Sequence, residues 1–236
     1  MRCRGLTAIT RERYYPEYVF VPGGGAWSGG GGVPKKKRGD GGMARGRRVD
    51  VEVERWIKSR VRASTGSTTK KKFSTRAFVA ASSKTKDPKD PKDPNEPTHS
   101  LARAFVALIS RLRLVPVGAQ VVVRDEQVDL ATLVDGVFVD ERGRVVLVEL
   151  KCGFEGYNDT SNGRMRPPFR KFTNAPKHQH QLQLAFTRCM FERTFPEFGR
   201  VDARIVRMTD RGAHVTRIDD DLDATARRVF AAGRRV

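Results

Sequence analysis

Residues 130–153 read LATLVDGVFVDERGRVVLVELKCG, two apolar and largely β-branched runs around a polar turn. That pattern predicts a β-hairpin. Three charges are set into its runs: Asp135 in the first, Glu149 and Lys151 in the second. An ionised side chain in a buried strand costs several kcal/mol, roughly, unless something pairs with it. Four apolar residues directly precede Glu149, so a solvated surface hairpin fits this stretch poorly.

The remaining periodicity predicts a helix–strand alternation around that hairpin. Val53, Trp56, Ile57 and Val61 fall near helical spacing within 49–62, so residues 44–62 are expected to add a helix to the domain. Ser100 can cap a helix over 101–113 whose apolar face carries Leu101, Phe105, Leu108, Ile109 and Leu112. Residues 117–123 read as a strand. After the hairpin comes a long Gly/Asn/Pro/Arg-rich loop, 153–176. A helix follows over 177–193, burying Leu182, Ala185, Phe186, Cys189 and Met190. Residues 201–208 and 213–218 form a second hairpin, turned at Asp210-Arg211-Gly212. A closing helix over 220–232 has acids in its first turn and arginines later, which suits the helix dipole. The order is helix, three strands, helix, strand, strand, helix: an α/β fold with a mixed sheet flanked by helices.

Two segments lack any core-forming period. Residues 1–43 include the glycine-rich run Pro22–Pro34 and are expected to be a disordered basic tail. Residues 63–98 are rich in Ser, Thr and Lys, with Pro88, Pro91 and Pro94 at every third position. That spacing forbids a helix and favours a solvated, disordered insertion. The compact core is then 99–236.

Strand geometry brings the three charges together. Side chains alternate faces, so Glu149 and Lys151 point the same way. A three-residue loop, Glu141-Arg142-Gly143, with Gly143 left-handed, pairs Asp140 with Arg144 and, counting inward, Asp135 with Glu149. Opposed residues share a face at about 4.5–5.5 Å between Cβ atoms. Two carboxylates that close need a cation, and a hard divalent ion, Mg²⁺ or Mn²⁺, fits oxygen ligands. A two- or four-residue loop would instead put Asp135 on the opposite face from Glu149.

Charge extends the picture. The net charge of +19 and pI near 10.5 point to a polyanionic partner, nucleic acid before membrane. Residues 1–100 carry a net +13 of it. Lys35-Lys36-Lys37-Arg38 fits a nuclear-import signal or a solvated basic run, and organelle targeting ranks below both. In the 153–176 loop and just after it, Arg164, Arg166, Arg170, Lys171 and Lys177 suit a phosphate backbone or an ordinary exposed connection. Three scattered cysteines, Cys3, Cys152 and Cys189, suit a reducing compartment rather than a disulfide framework. No apolar run reaches membrane-spanning length and no secretory apolar region opens the chain, so a soluble intracellular protein is expected.

The αβββαβ order, the Asp on the second strand, Glu-x-Lys on the third and the Gln-Leu opening of the next helix resemble the PD-(D/E)xK nuclease superfamily, specifically its RecB and lambda-exonuclease-like branch. The resemblance covers roughly residues 100–218, with 44–62 a further candidate. It implies a restriction-endonuclease-like core and metal-dependent hydrolysis of DNA phosphodiesters, of the kind used in repair, recombination and replication. By residue it implies that Asp135 and Glu149 bind Mg²⁺ or Mn²⁺, with the backbone carbonyl of Leu150 assisting. Lys151 positions or activates the attacking water, and Gln181, ahead of Gln183 or Gln179, matches the helix glutamine. An upstream helix often adds an acid or histidine; Glu54, Glu52 and His99 are the candidates. Val134 stands where the nominal motif has proline, and three scattered cysteines exclude the iron–sulfur cluster of some relatives. A helicase or another DNA-processing protein is a candidate partner. The rival expectation is a catalytically inactive nucleic-acid-binding protein of the same fold, acting within a DNA-processing complex.

Overall fold

A computed structural model describes residues 4–5, 14, 42–65, 95–127, 129–153, 157–158, 160 and 163–232. Its elements in chain order are β1 (Arg4–Gly5), α1 (Gly42–Thr65), α2 (Ser100–Arg111), β2 (Val115–Asp125), β3 (Leu130–Val139) and β4 (Val145–Cys152). Then follow α3 (Pro176–Thr194), a short 3₁₀ turn (Pro196–Phe198), β5 (Asp202–Thr209), β6 (Gly212–Arg217) and α4 (Asp220–Ala231).

Among the described residues the strands form one six-stranded mixed sheet. β2, β3 and β4 pair antiparallel in sequence order, β4 pairs β5 in parallel, and β6 returns antiparallel on β5. The parallel step needs a crossover, which α3 supplies. The β3–β4 turn is as the loop chemistry requires: Gly143 has φ 73°, its N–H donates to the Asp140 carbonyl, and Asp140 N–H donates to Arg144. The register Gly136–Val148 through Val139–Val145 is the one that sets Asp135 across from Glu149.

Alternation along the strands sorts the core into two layers. Phe138, Val146, Val148 and Leu150 pack with Val53, Trp56 and Ile57 of α1 and with Phe105 and Ile109 of α2. Val137, Val139, Val145, Leu147 and Ile205 pack instead with Leu182, Phe186 and Met190 of α3 and Leu222 of α4. β4 is buried on both faces from Val145 to Leu150. α3 and α4 are further tied by Arg227, which bonds Glu192 at 2.6 Å, and by the Arg188–Asp223 pair.

At residues 4–5 and 14 the structure departs from a coreless tail. Arg4–Gly5 pairs in parallel with Leu130–Ala131 on β3, and Tyr14 is buried against Phe169 and Phe186. Single strand pairs and one buried ring leave no period in a sequence, so no pattern announces them. The loop before α3 is likewise anchored, because Met165, Phe169 and Phe172 are buried in the α3 layer. The glycine-rich run, Lys35–Arg38 and most of the 63–98 insertion lie outside the described residues. Among the described residues, no helix is long and apolar enough to cross a membrane.

Candidate active site

The charged residues of the central hairpin meet where β3 and β4 part. Backbone pairing between them ends at Gly136 opposite Val148. One step further along, the Asp135 side chain takes over the bonding: its Oδ2 accepts from Leu150 N–H at 2.9 Å. On β4, Lys151 Nζ donates to Glu149 Oε1 at 2.6 Å. Glu149 is 6 % exposed, and an unpaired carboxylate so deep would be costly. The adjacent ammonium offsets part of that cost.

β2 contributes a residue the hydrophobic pattern does not reveal. Ala119 pairs with Gly136 and Val121 with Val134, which leaves Gln120 across from Asp135. Gln120 has φ 51°, a left-handed backbone in the middle of a strand, and its Nε2 donates to Asp135 Oδ1 at 3.3 Å. Strain of this kind costs on the order of 1–3 kcal/mol and persists only where the surroundings enforce it. Both carboxylate oxygens of Asp135 are therefore held.

α1 brings a third acid, Asp50. It is three residues before Val53 and seven before Ile57, hence on the flank of the helix's buried stripe. The Cys152 thiol at the end of β4 points to its Oδ1 at 4.0 Å. α1 can approach β3 this closely because residue 136 is glycine: a Cβ there would lie 2.6 Å from the Phe138 ring and 3.3 Å from Ile57 Cδ1.

Crowding and burial perturb every ionisable group here. Burial, reinforced by repulsion from Asp135, pushes the Glu149 carboxyl up to about 7 despite Lys151. Burial also raises Asp135, against the pull of the Leu150 N–H and Lys151. Asp50 keeps contact with solvent, yet partial burial and then repulsion from Asp135 push it up to about 6. For Lys151, burial works downward, but attraction to Glu149, Asp135 and Asp50 overrides it and the ammonium is strengthened. On α3, burial and then the Lys151 charge depress His180 to about 3, so its imidazole is neutral at pH 7.

Among the described residues, no three His, Cys, Asp or Glu side chains converge into a metal cage. The donor chemistry nonetheless suits a hard divalent ion at the Asp135–Glu149 pair. Three mutually repelling carboxylates have raised pKa values, so a cation beside them relieves the repulsion. Mg²⁺ is commonly held by only one or two carboxylates, with water and substrate phosphate completing its shell.

Asp135, Glu149 and Lys151 are thus brought together, and the Leu150 N–H with them. Gln181 is not part of this cluster: it is 2 % exposed, and its Nε2 donates to the Arg217 carbonyl on β6 at 2.8 Å. Of the upstream candidates, Glu52 accepts from the backbone N–H groups of Thr98 and His99 at 2.8 Å each. His99 caps α2 by accepting from Leu101 N–H, and Glu54 pairs with Lys58. All three serve the α1–α2 layer, and Asp50 is the acid that α1 brings beside Asp135 and Lys151. Helical spacing could have singled out Asp50, since it abuts the apolar stripe. Gln120 had no such signal, because backbone strain is not written in residue type.

The basic residues divide. Arg164, Arg166 and Arg170 are exposed. Lys171 pairs with Asp221 at 2.7 Å, and Arg164 also donates to the Lys171 carbonyl. Lys177, in the first turn of α3, donates its backbone N–H to the Tyr157 carbonyl at 3.0 Å. A separate groove of about 460 Å³ on the outer face of α1, lined by Arg55, Lys58 and Arg62 among others, shares no residue with the acid cluster.

No family model matches this chain, and no curated protein matches it. Among solved structures it is similar to one described as "Crystal structure of SSO0001", at 14 % identity and a TM-score of 0.28. The match covers 55 % of this chain and 52 % of that one, about half of each. A likeness this slight carries no argument about fold or activity.

Proposed function

We propose that this protein is a divalent-metal-dependent nuclease that hydrolyses phosphodiester bonds in DNA, built on a restriction-endonuclease-like core of the PD-(D/E)xK kind. One observation carries the reading: Asp135 and Glu149 stand across from each other at the parting of two strands, with the Lys151 ammonium against Glu149. The order of helix, three strands, helix and strand around them supports the fold. The chain's basic excess and the exposed Arg164, Arg166 and Arg170 support a polyanionic substrate.

Asp135 and Glu149 would hold Mg²⁺ or Mn²⁺. Such an ion lowers the pKa of a bound water and polarises a phosphoryl oxygen. The chain's own residues do the rest. Gln120 and the Leu150 N–H fix the Asp135 carboxylate before substrate arrives, which limits reorganisation during reaction. Lys151 stays charged and stabilises the negative charge that develops on the phosphoryl oxygens. Asp50, at the rim, adds a negative charge that favours a cation. In the hydrolysis, the water oxygen forms a bond to phosphorus, the ester P–O bond breaks, and a proton ends on the departing oxygen.

The test is cleavage of labelled linear, circular, single-stranded and flapped DNA with Mg²⁺ and with Mn²⁺. Cleavage by the parent should fall at least about a hundredfold in Glu149→Ala and Lys151→Ala, the scale set by loss of a charge-stabilising group. Variants as active as the parent would overturn the assignment. DNA binding without cleavage by the parent on every substrate would point to a binding protein of the same fold.

A further inference from the structure

The parallel and antiparallel pairings carry the basic character of Lys151 across the sheet. Lys151 on β4 pairs with Arg207 on β5, and Arg207 pairs with His214 on β6. Paired residues on neighbouring strands point to the same face, and Arg207 shares its face with Ile205, which packs in the α3 layer. Lys151, Arg207 and His214 therefore form a row leading away from the acid pair, at a spacing of about 4.8 Å per strand.

Arg207 is the unusual member. It is half-buried, and no carboxylate pairs with it among the described residues, although most of the half-buried arginines here have one. Its guanidinium lies instead over the Tyr157 ring, 4.8 Å from the centroid. That ring also neighbours the His180 imidazole, with centroids 5.7 Å apart and planes tilted by 32°. The Tyr157 phenol, raised chiefly by burial, also lies within electrostatic reach of Glu149, which raises its pKa while Arg207 lowers it. A guanidinium attracted to an aromatic face is restrained by it while its N–H groups remain available to an oxyanion such as phosphate.

We propose that Arg207, set over the Tyr157 ring and paired across the sheet with His214, is a binding site for a backbone phosphate of the nucleic acid, the one next to the phosphate facing Lys151. This rests on the nuclease reading, which places a strand at the acid pair. It assigns Arg207 to holding substrate rather than to the chemistry. The strand then runs from β4 toward β6 across the sheet end, passing the first turn of α3.

Fluorescence anisotropy of full-length protein with a short single-stranded DNA, in EDTA, reads this site without requiring cleavage. Arg207→Gln should weaken binding about tenfold at low salt and make the salt dependence shallower by about 0.7 in log–log slope, the value for one lost phosphate contact. Arg142→Gln, in the turn at the opposite end of β4, should change neither. An Arg207→Gln indistinguishable from Arg142→Gln overturns the proposal. Should Arg207→Gln fail to fold, the parent gives the answer: phenylglyoxal modification followed by mass spectrometry should show Arg207 protected by DNA. Equal modification with and without DNA overturns it. A parent that cleaves nothing would remove the nuclease reading and leave the Arg207 result standing, whereas an active parent with an unaffected Arg207→Gln removes only this site.

Discussion

Gln120 holds a left-handed backbone, φ 51°, on β2 and places its amide 3.3 Å from Asp135 Oδ1 on β3. A strained residue that touches the candidate catalytic acid is expected to trade stability for position. Gln120→Gly removes both the strain and the amide, whereas Gln120→Ala removes the amide alone. Urea unfolding should find the glycine variant more stable than the alanine variant by about 1–2 kcal/mol, the cost of a left-handed backbone outside glycine. Cleavage should drop equally in the two, by about tenfold or more, the scale for losing a group that orients a metal-binding carboxylate. Full activity in either variant would mean that Gln120 does not position Asp135.

The acid cluster makes the metal-free fold sensitive to pH. Glu149 rises from 4.5 to about 7 and Asp50 from 3.8 to about 6, so between those limits the folded chain holds protons that the unfolded chain has lost. The stability these groups contribute is fully present below about pH 4. It declines as pH rises and is gone above about pH 7. Thermal melting in EDTA should therefore fall from about pH 5 to about pH 8 through this cluster, and Asp50→Asn should reduce the fall. Mg²⁺ should restore more stability at the higher pH, about 2.7 kcal/mol at a hundredfold excess over its dissociation constant. An equal effect of Mg²⁺ at both pH values would argue against binding at these acids.

Gly136 sits beside Asp135 under α1. Adding a Cβ there meets the Phe138 ring at 2.6 Å, and Phe138 is fully buried. Gly136→Ala should cost about 1–3 kcal/mol by overpacking, read as a lower urea midpoint. It should also shift Mg²⁺ affinity, because α1 carries Asp50. A midpoint unchanged from the parent would show that the helix yields without cost.

Gln181 separates the motif from its geometry. With its amide on the Arg217 carbonyl, Gln181→Leu strips a buried hydrogen bond and should cost about 1–3 kcal/mol. Cleavage per folded molecule should stay within about twofold of the parent. Abolished cleavage in a folded Gln181→Leu would mean that this glutamine turns toward the reacting phosphate when substrate binds.

Much of the fold was legible because its strands and helices bury one face each, and that requirement imprints a period on residue type. The β3–β4 hairpin is the clearest instance. The turn Glu141-Arg142-Gly143 and the fixed period of two predict Asp135 across from Glu149 if the loop has three residues, and the structure has that loop, where one residue more or fewer would part Asp135 from Glu149. The α1, α2, α3 and α4 helices and the β5–β6 hairpin followed from the same rule. What only the tertiary structure decided is the set of partners that come from elements distant in sequence. Asp50 reaches the site because α1 lies over Gly136, Gln120 because β2 is strained at one residue, and Arg207 because β5 takes a particular parallel register on β4. Residue type sets which face a side chain occupies. Which distant faces end up within a few ångströms of it depends on packing and register, and those are fixed by the whole core at once.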